Sequence, residues 1–117
     1  MLRLSLQQKA DQLDVLDLQM ETFEPQCGPG QVVVEVHSAG VNLSDIKDAF
    51  HAMPHAVWPR TPGRDWSGIV IEGPAPLRGR EVWGTGGELG ISRDGSHTHS
   101  LTWRQARSSR LGCLQAA

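Results

Sequence analysis

The sequence predicts a mainly β protein with one short helix, arranged as a small, partly open barrel rather than a helical bundle or a doubly wound sheet. Three observations carry that expectation. Apolar residues recur mostly in alternation, the spacing of half-buried strands, and not at helical spacing. Glycine and proline, 13 and 7 of the 117 residues, cluster between the apolar runs as turn signals. Helical spacing occurs in one short segment, with no internal repeat around it.

The first strand is read from Leu2, Leu4 and Leu6, which alternate with Arg3 and Ser5. Asp14 to Met20 alternates again, with Val15 and Leu16 out of step, and the two segments are expected to pair as a hairpin. Pro25, Gly28, Pro29 and Gly30 then force a turn, because proline fixes φ and glycine admits positive φ. Val32 to Ala39 is the strongest strand, since its β-branched run suits a pleated surface and its start is apolar enough to be buried on both faces. It belongs in the middle of the sheet.

After Asn42 the period changes. Leu43, Ile46 and Phe50 fall at i, i+3 and i+7, with Asn42 or Ser44 available as the N-cap, so a short helix is expected. Pro54, Pro59 and Pro62 exclude regular structure from His51 to Thr61, leaving an irregular loop of the kind that borders sites. Trp66 to Glu72 returns to strand composition. Gly73 to Gly79 supplies a turn, and a short strand follows around Arg80 to Trp83.

Composition limits the function classes. Eleven Lys plus Arg against thirteen Asp plus Glu give a formal charge of −2, without the basic field that draws nucleic acid. The N-terminus turns polar after six residues, and no later run approaches the length of a membrane span, so no nucleic acid, no membrane and a cytoplasmic location are expected. Cys27 and Cys113 stand apart from other metal-ligating residues, which argues against a disulfide scaffold and a four-cysteine zinc lobe.

Pro29 to Asp45, with its Val-Val-Val-Glu-Val-His-Ser-Ala-Gly-Val-Asn-Leu-Ser-Asp run, and Pro62-Gly-Arg-Asp-Trp-Ser-Gly68 together resemble the N-terminal, GroES-like catalytic domain of medium-chain dehydrogenases and reductases, in the zinc-free, quinone-oxidoreductase-like branch. In that branch an asparagine replaces the zinc-binding cysteine after the valine-rich strand, and here the position is Asn42. An amide cannot supply the thiolate that catalytic zinc usually receives, and Arg64 stands where zinc-dependent members place histidine, so no metal is expected. The resemblance implies Asn42 and Asp45 as catalytic candidates at the nicotinamide end of the cleft. Ser44, Lys47, Arg64 and Asp65 are the further candidates along the substrate and cofactor cleft. By residue chemistry alone, Asn42 and Asp45 equally well cap the helix, and Arg64 with Asp65 equally well makes an ion-paired turn.

Two other patterns lead elsewhere. Trp83 to Gly90 packs four glycines closely, but no helical period follows to receive a pyrophosphate, so the dinucleotide fingerprint is rejected in favour of a flexible loop. His37, His51, His55, His97 and His99 read as scattered loop and surface residues, because spacing alone demonstrates no convergent ligand set.

The similarity runs from residue 1 to about 97, the expected GroES-like domain. Residues 98–117 read as a divergent tail, as the product of an altered reading frame, or in Leu114 to Ala117 as the start of a linking helix. The Rossmann domain that holds the cofactor in this family is absent from these 117 residues, so no cofactor is expected on the chain alone, while NADPH or NADH is implied for a complete member. The implied function is the substrate domain of an NAD(P)H-dependent oxidoreductase acting on quinone, enone, aldehyde or alcohol, inactive by itself. Two alternatives stay open: a non-enzymatic binding or assembly module using Trp58, Trp66, Trp83 and Trp103 as its surface, and one half of a split oxidoreductase. The expected partners are a complementary nucleotide-binding domain or a second copy of the chain.

Overall fold

In the computed structural model, the described residues are 1–8, 16–49, 57–85, 89–90, 93–104 and 112–113. Strand β1 (Leu2–Leu6) pairs antiparallel with β2 (Leu18–Thr22), Leu4 lying opposite Met20 and Leu6 opposite Leu18. The expected hairpin pairing is therefore present, its second strand running from Leu18 with Leu16 and Asp17 outside it; the expected start at Asp14 falls in residues 9–15, which lie outside the described set.

The valine-rich segment forms β3 (Gln31–Ala39), the Leu43–Ala49 segment forms helix α1, and β4 spans Asp65–Glu72. Beyond a 3-10 turn at Ala75–Leu77 come β5 (Glu81–Thr85), β6 (Ser100–Arg104) and the short β7 (Gly112–Cys113). These five strands make an antiparallel sheet in the order β6-β3-β4-β5-β7, which places β3 inside it as expected. Val32, Val33 and Val34 are all buried, so the start of β3 is covered on both faces.

The β1–β2 ribbon is stitched to the flank of this sheet by isolated bridges from Arg3 to Thr98 and from Leu6 to Arg60. Leu4 N–H donates to the His97 carbonyl at 3.0 Å, and His99 N–H to that of Leu2 at 2.9 Å. The result is a mainly β, partly open barrel. Its core joins Val32, Val34, Trp66, Val70, Val82, Leu89, Leu101 and Trp103, with the Trp66 and Trp103 rings edge to face at 5.4 Å. Gly84 lies opposite Trp66 in the β4–β5 register, and an added Cβ would come 2.6 Å from the indole, so glycine makes room for the ring.

Two features depart from the sequence reading. Ser100–Arg104, placed in the divergent tail, is a strand of the main sheet: Leu101 lies opposite Val34, Trp103 opposite Val32, and both are buried. Trp66 and Trp103 are accordingly core residues and offer no contact surface, whereas Trp83 is 44% exposed.

Candidate functional site

The site grows from the end of β3. Register shifts in its pairing with β4, between Val33 and Val34 and again between Val36 and Ser38, bend the strand as it runs towards Gly40. The chain then turns into α1. The Asn42 carbonyl accepts from the Asp45 N–H at 3.0 Å and from the Ile46 N–H at 3.4 Å, while the Asp45 carboxylate reaches back through Oδ2 to the Asn42 N–H at 2.8 Å. This is the reciprocal half of a capping box, with aspartate in the place of glutamate. The helix buries Asp45 and leaves Leu43 and Ile46 exposed.

The side chain of Asn42 points to β4. Its Nδ2 donates to Asp65 Oδ2 at 2.8 Å, and Asp65 Oδ1 accepts the Gly40 N–H at 2.7 Å. On the other side of the same residue, His97 Nε2 lies 2.9 Å from the Gly40 carbonyl. A carbonyl can only accept, so Nε2 carries the proton. Gly40 is required by this approach, because an added Cβ would overlap Asp65 Oδ1.

Among the candidates, Asn42 and Asp65 are thus brought together directly, and Asp45 joins them through the Asn42 backbone. Its carboxylate also borders a different recess, of about 300 Å³, lined by Leu4, Leu6, Leu18, Val41, Ile46 and His97. Asp45 Oδ1 is buried there and meets no donor among the described residues. Arg64 sends Nε to the Leu89 carbonyl at 3.3 Å. Lys47 is exposed on α1, and Ser44 lies in the first turn of that helix, its side chain outside the described set.

Beside Asp65 lies a broad, open recess of about 550 Å³ lined by Ser38, Gly40, Ser67, Trp83 and Thr85. Its wall combines an exposed indole with hydroxyls and a carboxylate, a surface suited to a flat, weakly polar molecule. Sequence reasoning missed His97 as part of the site. Spacing among the five histidines carries no signal for it, because His97 acts on a backbone carbonyl 57 positions away.

The donor set does not fit zinc. Asn42 turns its amide nitrogen to Asp65, Arg64 is cationic and engaged with Leu89, and the described residues contain no group of three or more His, Cys, Asp or Glu able to share an ion. Of the glycine-rich stretch, Gly84 lies in β5, Leu89 bridges to Arg93, and the Gly90 N–H donates to the Arg93 carbonyl at 2.8 Å. Residues 86–88, on which the flexible-loop expectation falls, lie outside the described set, as do His51 and His55.

Comparison with known proteins bears on this geometry. The model of the alcohol dehydrogenase GroES-like domain matches residues 28–108. A zinc-type alcohol dehydrogenase-like protein of Schizosaccharomyces pombe is 42% identical over 74 residues, which are 62% of this chain and 23% of that protein. An oxidoreductase from Salmonella enterica, solved in complex with NADP, superposes over 99% of this chain and 35% of its own, with a TM-score of 0.75 and 26% identity. The quinone oxidoreductase of Coxiella burnetii shares the fold, with a TM-score of 0.70 and 24% identity over 87% of this chain and 34% of its own. The chain therefore spans a quarter to about a third of the length of these relatives.

Proposed function

The chain belongs to the alcohol dehydrogenase GroES-like domain family, and from that premise we propose that it forms the acceptor side of the cleft in an NAD(P)H-dependent oxidoreductase acting on quinones, enones, aldehydes or alcohols. The observation that carries this reading is the fixed Asn42–Asp65–Gly40 cluster at the rim of an open recess with an exposed tryptophan. A flat acceptor has an apolar wall in Trp83 and polar groups at its edge in Ser38 and Ser67.

A nicotinamide cofactor would supply the hydride. Asn42 is the residue of this chain best placed to hold its ring end, since the side chain is exposed and anchored from behind. The chain's own contribution is orientation and shielding: it fixes polar groups before a ligand arrives, which is where much of the rate advantage of a bound pair originates.

A second observation favours association with further polypeptide. Val41, Leu43 and Ile46 are 77%, 67% and 52% exposed, and Leu18 and Met20 on the ribbon are 45% and 61% exposed. Of these, Val41, Ile46 and Leu18 line one recess, and exposed apolar side chains around a recess mark a surface that another unit covers. A complementary nucleotide-binding domain is the partner this family reading calls for, with self-association as the alternative.

Joining the chain to the nucleotide-binding part of the Salmonella oxidoreductase, in place of that enzyme's matching segment, tests the function. NADPH consumption with a quinone or aldehyde that needs both halves and falls at least about tenfold on Asn42→Ala is expected, the loss of one positioned polar contact at the reacting pair. A chimaera that binds NADP yet consumes none with any of these acceptors sinks the proposal.

A further inference from the structure

We propose that Asp65 and His97 are positioning residues that lock Asn42 with its amide nitrogen inward and its carbonyl oxygen outward, so that the site prefers ligands presenting an N–H or O–H donor there. The orientation follows from hydrogen-bond chemistry. An ionised carboxylate accepts and cannot donate, so the group of Asn42 that faces Asp65 Oδ2 has to be the NH2. Asp65 is held in turn because its other oxygen takes the Gly40 N–H at 2.7 Å.

The Gly40 residue is gripped on both sides, its N–H by Asp65 and its carbonyl by His97 Nε2 at 2.9 Å. With the Asn42 N–H also fixed by Asp45 Oδ2 at 2.8 Å, the turn has little freedom to rotate the amide. One end of the Asn42 side chain is therefore committed. Among the described residues no donor reaches Asn42 Oδ1, and the residue is exposed.

An outward acceptor discriminates by chemistry. It receives the amino group of a carboxamide, such as that of nicotinamide, or the hydroxyl of an alcohol or hydroquinone. It repels the lone pairs of a bare carbonyl, whose oxygen must be met by some other group. The donor preference rests on the oxidoreductase reading, whereas the clamp stands on the hydrogen bonds alone, and separate readouts follow the two.

The clamp is tested by nitrogen-15 NMR of the whole chain. One Asn42 Nδ2 hydrogen should exchange about tenfold more slowly than in Asp65→Ala, as expected for a hydrogen bond to a charged acceptor. His97→Ala should speed that exchange and His97→Gln, which keeps a side-chain donor, should restore it. This second pair decides the matter if Asp65→Ala does not fold. Exchange unchanged in every folded variant overturns the clamp.

The preference is tested by titrating nicotinamide against N,N-dimethylnicotinamide, in which methyl groups replace the donors, and benzyl alcohol against benzyl methyl ether. The donor-bearing member of a pair should move the Asn42 side-chain signals, and its methylated counterpart should not. A response to the amide pair alone assigns the acceptor to the cofactor; one to the alcohol pair alone assigns it to the substrate. Equal responses within both pairs, or none from any probe, overturn the donor preference.

Discussion

Asn42 ends a strand connection, opens a helix and faces a carboxylate, and the three roles fall on different atoms. Its carbonyl starts the helix, its N–H takes the Asp45 carboxylate, and its amide nitrogen meets Asp65. This division explains why helix capping and a place in the site, open alternatives from residue chemistry alone, coexist. It also bears on metal binding. With an amide committed to Asp65 and a guanidinium directed to Leu89, the purified chain should retain no stoichiometric zinc after dialysis, as elemental analysis will read. A zinc-to-protein ratio near one that resists exchange would redirect attention to His97 and His99. The local part of the cluster was legible in the sequence because capping acts over three or four residues. The contacts of Gly40 with Asp65 and His97 were not, because they span 25 and 57 positions and exist only once the β3–β4 register is set and the ribbon has docked.

Strands β3 and β6 mark what patterning can and cannot reveal. An unbroken valine run announces a strand buried on both faces, and Val34, fully buried, lies between Val70 and Leu101 across the sheet. A carboxylate there would lose its hydration without finding a partner. Val34→Asp should therefore destabilise by about 4 kcal/mol or more, against about 1 kcal/mol for Asn42→Ala, which forfeits one hydrogen bond at an exposed position. Chemical denaturation of the two variants checks this, and similar midpoints would place β3 outside the core. Strand β6 was obscured because the polar, arginine-rich residues around it dominate the composition. The alternation of Leu101 and Trp103 about Thr102 was the available signal, and it became decisive only with β3 alongside. In α1 the reverse holds: the spacing of Leu43 and Ile46 correctly marked a helix, but the face it buries is that of Asp45.

At the scale of the molecule, the described residues present a fixed polar cluster beside an open recess. The core of β3, β4, β5 and β6 fixes the Asn42–Asp65 cluster on a rigid sheet, and the recess beside it stays open. An open wall holds a ligand weakly, because binding needs enough contact to offset the freedom lost on association. The fold class was readable from strand spacing and turn residues; the openness was not, since it depends on which surfaces pack together in space. The central proposal is that this chain forms the acceptor side of an oxidoreductase cleft, with the cofactor held by further polypeptide. The most direct measurement is NADPH consumption by the isolated 117-residue chain with quinone and aldehyde acceptors. No protein-dependent consumption is the predicted result, since an open recess offers too little contact to hold both reactants together. Saturable consumption that scales with protein concentration would contradict the account and would require a cofactor site within this chain.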